Sequence, residues 1–369
     1  MKLRKKILSL TSLLIFILML FSACSNTEYN EEDIEIFSLK KSFELAEQYL
    51  GLIKNNNIEE ANKLCTQKLI DNNKKILTGT SDIIAFAPDN VIESSKSAFI
   101  TFNVIRNSQS EPKCDLDNYA IKVIKEGDNY KIDEIKAINL KQVFVRNKSL
   151  RMISEDGGKS DLIISLNNIP KDAYLKENEL MLYKEKVPSD KFGPISLGYK
   201  GKKIAISTIS ENRAFISIAF IQESKEAQGG ANSQGESGGN TQQQGGNVEN
   251  NLEDLVDKPI AKKVIHVDLL NDVTLDNLVF TQEERYLIVE YLNLNEVKRM
   301  KVYNSASGDL VDLNFDEIIP SDKYNIELIE FKKDQFKIKV IPKSGVKDIN
   351  EDILGEYNVG IESKVIKKI

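Results

Sequence analysis

The sequence has few of the residues that usually carry chemistry: its 369 residues include one His, no Trp and three Cys. A Ser-His-Asp triad would have to use His266, and a zinc site would need an unusual ligand set. The 50 Lys and Arg are outnumbered by 56 Asp and Glu, so no basic surplus exists for a nucleic-acid backbone. P-loop and dinucleotide glycine motifs are also missing. We therefore expect no catalytic residue, no metal, no cofactor and no nucleic-acid partner.

The first 23 residues are predicted to be a targeting segment. Four basic residues lie at positions 2 to 6, and a mostly apolar run follows at 7–21. This run is shorter than the roughly 20 residues of a spanning helix, which favours a signal peptide. Its removal takes away four basic residues and no acids, which leaves a net charge of −10. Anionic lipid surfaces would repel such a chain, so an attached lipid would have to hold it to the membrane.

A cysteine stands where such a lipid is attached in bacterial lipoproteins. Phe21, Ser22 and Ala23 precede Cys24, and small residues before a Cys suit a signal peptidase whose pocket admits little bulk. The string resembles the bacterial lipobox, with Phe21 at the place usually taken by Leu and Leu20 one position earlier. The resemblance implies that Cys24 carries lipid, such as palmitate, and becomes the mature N-terminus. An ordinary secretory signal or an N-terminal anchor helix remains the alternative.

Two further cysteines, Cys65 and Cys114, are candidates for a disulfide. An exported protein can oxidise them, and the closed loop would contribute about 4 kcal/mol in the chain-entropy model. The alternative is two unpaired thiols, because Cys65 lies on an apolar helix face where a free Cys behaves as a small hydrophobic residue.

Residues 36–142 combine a helical period with a later strand period. Apolar residues recur every three or four positions at Ile36, Leu39, Phe43, Ala46, Leu50 and Ile53. A second amphipathic helix is predicted from Ile58. Alternation with period two then predicts strands at 98–104 and 119–123, and a turn at 126–129 leads to the last strand. Helices followed by antiparallel hairpins indicate an α+β domain with its helices on one sheet face.

The same segment resembles the NTF2-like domains of bacterial lipoproteins over about a hundred residues. The resemblance is carried by a helix pair, AEQYLGLIKNNNIEEANKLCTQKL, and by a closing hairpin, YAIKVIKEGDNYKIDEI. It implies a cone-shaped cavity, in which enzymatic members often place an Asp with a His or a Tyr. Residues 36–142 contain no His, so we expect a cone without catalysis.

Residues 143–369 are rich in strand-like runs and contain an internal repeat. Val187–Phe192 reads VPSDKF and Ile319–Tyr324 reads IPSDKY, with a related piece near Phe280. Once an insertion is removed, the spacing gives a unit of about 50 residues, which is in the range of propeller blades. Three such units fall short of the four to eight blades of a closed ring. We therefore expect an all-β domain of about three blade-like meanders, as a partial propeller, as a sandwich, or as a sheet completed by the first domain.

The insertion covers about 226–256, and its Gly- and Gln-rich part at 228–247 is predicted to be a disordered loop on a hairpin. It contains Gly235–Gly239, which fits the G-x-S-x-G nucleophile elbow by composition alone. His266 lies in an apparent strand and is predicted to be structural. Carboxylates at 115–118 and 271–272 are predicted to lie in solvated turns, since neither run has the full pattern of a calcium loop.

These segments predict a chain with a signal peptide at 1–23, an acidic tether at 24–35, an α+β domain at 36–142 and a β-repeat domain at 143–369. We expect a lipid-anchored protein on the extracytoplasmic face of a bacterial membrane. Its modules would bind or scaffold protein partners in the cell envelope without catalysis. The alternative is a small-ligand-binding protein or enzyme that uses the cavity of the first domain.

Overall fold

The computed structural model describes residues 37–72, 81–155, 157–174, 184–222, 258–332 and 335–369. The chain separates into two units, residues 1–38 and residues 39–369, and every element below belongs to the second. The predicted signal peptide, the tether and the insertion at 226–256 lie outside the described residues. So do Phe21, Ser22, Ala23 and Cys24, and the elbow-like string at 235–239.

The first large element is a six-stranded antiparallel meander, in the order β1 to β6. Its strands are β1 (Ser81–Ser94), β2 (Ser97–Ser108), β3 (Lys113–Glu126), β4 (Asn129–Arg146), β5 (Ser149–Ser154) and β6 (Asp161–Ser165). The alternation read from the sequence sets the inner face of β2, because Ala98, Ile100, Phe102 and Val104 are completely buried. The residues between them, Phe99 among them, are partly or fully exposed, whereas Ile105 is buried on the opposite face.

Three helices precede the meander; the first and third pack on its strands, and the second packs on the first. They are α1 (Leu39–Lys54), α2 (Ile58–Lys63) and α3 (Gln67–Asn72). The predicted stripe of α1 is confirmed, since Ala46 and Leu50 are completely buried. Phe43 on α1 stacks at a tilt against Phe102, with ring centroids 5.8 Å apart. The helix ends in an Asn-rich turn, where Asn56 adopts a positive φ of 55°.

Three four-stranded antiparallel meanders follow, which we call blades 1, 2 and 3. Blade 1 is β9 (Lys191–Leu197), β10 (Lys203–Ser210), β11 (Arg213–Ile221) and β12 (Ala261–Leu270). Blade 2 is β13 (Val273–Phe280), β14 (Tyr286–Asn293), β15 (Lys298–Asn304) and β16 (Leu310–Val311). Blade 3 is β17 (Tyr324–Lys332), β18 (Gln335–Pro342), β19 (Gly355–Gly360) and β20 (Val365–Lys368). A small hairpin, β7 (Asp172–Tyr174) and β8 (Lys184–Lys186), precedes blade 1, and α4 (Phe315–Ile318) precedes blade 3.

The predicted blade-like repeats are confirmed. The two copies of the PSDK match lead into β9 and β17, the first strands of blades 1 and 3. Phe280, the marker of the intermediate unit, ends β13, the first strand of blade 2. The predicted insertion joins β11 to β12, which pair antiparallel.

The predicted α+β class is wrong. Strands hold 58% and helices 14% of the described residues, so the fold is mostly β with several antiparallel sheets. No NTF2-like combination of helices and sheet is evident in the described part of the chain. The helical period covers only 39–72, whereas the strands are longer than their alternation suggests: Pro88 interrupts it in β1, and β4 continues to Arg146. The domain boundaries stay predictions.

The sheets are joined in a circuit around a common centre. The meander meets blade 1 through β2 and β3 against β9, β9 contacts β13 of blade 2, and β15 contacts β17 of blade 3. The circuit closes at α1, where Lys54 Nζ donates a hydrogen bond of 3.2 Å to the carbonyl oxygen of Ile329 on β17. One apolar cluster includes buried residues of all four large sheets, from Ile84 to Ile361, whereas the buried residues beneath α1, such as Leu50 and Phe102, lie outside it.

Candidate functional site

A polar cavity with two lobes lies where the four sheets meet. The first lobe has a volume of about 540 Å³ and is lined by the end of α1 and by residues of β1, β2, β3, β13, β14, β15 and β17. The second lobe, of about 640 Å³, lies between residues 107–113, the start of β9 and the middle of β13. Four residues line both lobes: Gln109, Asn277, Glu290 and Lys298. We call the two lobes together the central cavity.

The blades reach this cavity mainly with their first strands. β9 contributes Phe192 and Ile195, β13 contributes Asn277, and β17 contributes Glu327. Antiparallel meanders that start near a common centre bring the corresponding strand of every repeat to the same place. The repeat in the sequence therefore positions the cavity wall.

Lys298 bridges two carboxylates at the boundary between the lobes. Its Nζ lies 2.8 Å from Asp276 Oδ2 and 3.6 Å from Glu290 Oε1. Asn277 Nδ2 donates to the other oxygen of Glu290 at 3.5 Å. Burial raises the pKa of Glu290, and Asp276 raises it further, against the opposing effect of Lys298. Burial also lowers the pKa of Lys298, but attraction to Glu290 and Asp276 outweighs it, so that this pKa is raised.

Arg106 on β2 forms the second charged group of the wall. Its Nε lies 2.5 Å from Asp117 Oδ2, and a terminal nitrogen lies 3.8 Å from Asp115 Oδ2. Asn139 donates to Asp117 at 2.7 Å, and Gln142 donates to Asp115 at 2.8 Å. The prediction that these carboxylates lie in a solvated turn is corrected: Asp115 and Asp117 are each 3% exposed within β3. They are buried because a guanidinium and two amides satisfy their oxygens.

Asn107, at the end of β2, lines the second lobe and carries a buried, unsatisfied acceptor. The residue is 8% exposed. Its Nδ2 donates to the carbonyl oxygen of Ile195 at 3.0 Å and to Asn277 Oδ1 at 3.4 Å. Its Oδ1 is buried and has no hydrogen-bond partner among the described residues. A buried acceptor in this state is costly unless a donor reaches it from the cavity.

The two candidate disulfide cysteines are both free thiols. Cys65, which follows α2, donates to the carbonyl oxygen of Ala61 at 3.5 Å, and Cys114 on β3 accepts from the backbone N–H of Leu197 at 3.3 Å. No disulfide joins them in this structure, where each sulfur has a different neighbour. Burial raises the pKa of Cys65 to about 11 and that of Cys114 to about 12.

His266 lies on β12, opposite Ser217 in the register of β11. Its ring stacks at a tilt on Phe215, with centroids 5.0 Å apart. Asp268 lies beyond a register shift in the same strand pair. Its carboxylate accepts a hydrogen bond of 2.5 Å from the hydroxyl of Tyr303. The three residue types of a hydrolytic triad are thus close in the sheet, but the acid is engaged by a tyrosine rather than by the imidazole.

Asp272 occupies the turn between β12 and β13, with a positive φ of 58°, as predicted for a carboxylate-bearing turn.

In the described stretches, no cluster of three or more His, Cys, Asp or Glu side chains is arranged to hold a metal ion. The helices that the structure describes are all too short or too polar to cross a bilayer.

No family model and no curated relative matches this chain. Among solved structures, it is similar to TolB from Acinetobacter baumannii, at 9% identity and a TM-score of 0.28, over 76% of this chain and 67% of that one. It is also similar to hydrazine synthase from Kuenenia stuttgartiensis, at 10% identity and a TM-score of 0.28, over 80% and 98% of the two chains. Superpositions this loose carry no argument about function.

The central cavity could not be predicted from the sequence. Its charged and amide residues come from strands that lie far apart along the chain, so no motif joins them. Asn107 and Asn277 touch although 170 positions separate them. The one signal available was the repeat itself, which indicates that equivalent strands meet at one centre.

Proposed function

We propose that this chain is a non-enzymatic recognition protein that is held by lipid on the extracytoplasmic face of a bacterial membrane. It binds a polar ligand in the central cavity. Support for the anchor comes from the sequence: a basic, apolar leader ends in Phe21, Ser22 and Ala23 directly before Cys24. Support for the ligand comes from the cavity.

The unsatisfied Oδ1 of Asn107 is the observation that carries the ligand proposal. It lies in a wall built from four sheets, and both lobes have volumes typical of small-molecule sites. Binding is favoured over catalysis because Lys298 and Arg106 are already paired with carboxylates. The raised pKa values of Cys65 and Cys114 also make poor nucleophiles of these thiols.

A protein partner is a second candidate, and one surface favours it. Ile92 on β1 and Phe99 on β2 are directly opposite each other and are 60% and 38% exposed. Large apolar side chains that are adjacent on an outer sheet face are typical of contact with another protein. In this candidate function, the meander contacts an envelope protein while the cavity holds its own ligand.

The anchor is tested with Cys24→Ala in cells that are fed a labelled fatty acid. We expect loss of the label and either release of the protein from the membrane or accumulation of the unprocessed chain. Ser25→Ala is the matched control and should keep both the label and the location. Lipid labelling of the Cys24→Ala chain would refute the anchor.

The binding site is tested by a photoreactive amino acid at position 109, at position 99, or at the exposed position 347 as control. Irradiation of living cells should add a small mass at 109, which lines both lobes. A protein-sized adduct at 99 would support the second candidate. Identical products at 109 and 347 would contradict recognition by the central cavity.

A further inference from the structure

The wall of the central cavity is electrically balanced. In the first lobe, Lys54, Arg106 and Lys298 face Asp82, Glu290 and Glu327. In the second lobe, Lys113, Lys191 and Lys298 face Glu111, Asp276 and Glu290. Each lobe therefore has as many positive as negative side chains, and neither attracts an ion of one sign over the other.

The central charges of this wall are also engaged with one another. Lys298 contacts Asp276 and Glu290, and Arg106 contacts Asp117. An ionic ligand would have to displace one of these partners and leave a charge unpaired in a buried place, which is costly. A neutral ligand can add hydrogen bonds to the paired groups without breaking them.

The unsatisfied atom of Asn107 specifies a hydrogen-bond donor. Both hydrogens of its amide group point to protein acceptors, Ile195 O and Asn277 Oδ1, and these bonds fix Oδ1 as the acceptor that remains. A ligand group that satisfies Oδ1 must bring an O–H or N–H from the second lobe and displace the atoms that now cover this oxygen. Together with the balanced charge, this requirement selects a neutral molecule that donates hydrogen bonds.

The first lobe adds an apolar surface to these polar groups. Ile83, Val279 and Leu328 line it together with Tyr119. A ligand that matches the whole cavity must therefore have apolar C–H faces and hydrogen-bonding edges on one rigid body. A pyranose ring combines these features, since its axial C–H bonds pack on aromatic and aliphatic groups while its hydroxyls point outward.

From this geometry we infer that the central cavity binds a neutral saccharide. Hydroxyls of the sugar donate to Asn107 Oδ1 and to the carboxylates held by Lys298, and one ring face packs against Tyr119. The inference rests on the proposed function, because it names the ligand class of the same cavity. Either lobe has the volume of a site for one or two sugar units.

The test uses the full chain in a polyoxyethylene detergent, which introduces no sugar headgroup. Calorimetric titration and saturation-transfer NMR are run with maltose and N,N′-diacetylchitobiose, and with glycylglycine and inorganic phosphate as charged probes. We expect at least one saccharide to bind. Its Kd should change less than about twofold from ~0.05 M to ~0.5 M NaCl, because screening acts little on a neutral ligand.

Variants connect that binding to the cavity. Tyr119→Ala should raise the Kd about tenfold because the stacking face is lost, and Tyr119→Phe should keep most of the affinity. Tyr174→Ala, on the exposed β7, is the matched control and should bind as the unaltered chain does. If Tyr119→Ala does not fold, Gln109→Trp fills both lobes from an exposed position and should abolish binding, with Gln67→Trp on α3 as its control.

The outcomes separate this inference from the proposed function. Binding of glycylglycine or phosphate without either saccharide, with strong salt dependence and loss in Gln109→Trp, would overturn the saccharide inference and keep the cavity as a binding site. Ordered water alone at Asn107, with no probe bound and no adduct at position 109 in cells, would overturn both. Saccharide binding that Gln109→Trp leaves unchanged would overturn the inference by placing the sugar elsewhere.

Discussion

Gly308 lies directly against the carbonyl oxygen of His266. This contact places the turn after β15, in blade 2, against β12, the outer strand of blade 1. Its φ is +79°, and a β carbon at this position would overlap with that oxygen. Both the backbone conformation and the close approach require glycine here.

The first prediction follows from this contact. Gly308→Ala should lower the free energy of unfolding by about 3 kcal/mol, because strain at positive φ adds to a backbone overlap. Gly345 has the same φ of +79° but nothing within 4 Å of a β carbon, so Gly345→Ala should cost only about 1 kcal/mol. Urea denaturation of both variants measures the difference. Equal losses would show that blades 1 and 2 do not approach this closely.

The second prediction concerns Glu290, whose side chain is 7% exposed. Burial raises its pKa above 4.5, so the folded chain holds this proton at pH values where the unfolded chain has lost it. Wild-type stability should therefore fall, relative to Glu290→Gln, as the pH rises from about 4.5 through the raised pKa. Within that window the difference should grow by up to about 1.4 kcal/mol per pH unit and then level off.

Urea denaturation of both proteins across this pH range measures the effect. Glu330→Gln, at an exposed carboxylate on β17, is the control for the loss of one glutamate charge. A Glu290→Gln difference that is flat would mean that Lys298 fully offsets the burial of this carboxylate.

A third prediction compares two glutamates that both connect separate blades. Glu284 is 3% exposed and accepts the backbone N–H of Lys200 at 2.6 Å, whereas Glu362 forms an exposed pair of 2.6 Å with Arg285. Glu284→Ala should cost about 2–3 kcal/mol because a part-buried backbone donor loses its charged partner. Glu362→Ala should cost less than about 1 kcal/mol, since surface ion pairs contribute little. Chemical denaturation measures the loss in free energy of unfolding for each variant. A larger loss for Glu362→Ala than for Glu284→Ala would contradict the burial of Glu284.

The fourth prediction is that Cys65 and Cys114 are unbridged and slow to react. With pKa values of about 11 and 12, their thiolate fractions at pH 8 lie far below that of an exposed cysteine. Modification of the folded chain by a thiol reagent should be at least about 100-fold slower than that of the chain in denaturant. Mass spectrometry after alkylation in denaturant without reductant should find both sulfurs labelled. Recovery of a linked pair would contradict this prediction.

Local patterns predicted the local elements well. The spacing of Ala46 and Leu50 gave α1, and the matching PSDK strings gave the start of β9 and β17, because both signals depend on neighbours within a few residues. The predicted α+β class was wrong because tertiary contacts lengthen the strands. For example, β4 continues to Arg146, beyond the predicted last strand of the first domain.

The site was not predictable for a related reason. Asp115 and Asp117 read as turn residues, since nothing nearby in the sequence shows that Arg106 will lie across the sheet from them. Pairing between strands decides which polar groups are buried together, and a single sequence does not record that pairing. The unsatisfied oxygen of Asn107 is visible only once β2, β9 and β13 are assembled.

The contact between Lys54 and Ile329 joins positions 275 residues apart, and it sets an order of events for a chain made from its N-terminus. Helix α1 and the meander emerge first, yet the strand that completes their surroundings is among the last to be synthesised. Any nascent or truncated chain that lacks β17 must keep that side of α1 open to water or to a chaperone. Helix α1, which is made early, and β17, which is made late, therefore complete their packing at the same stage.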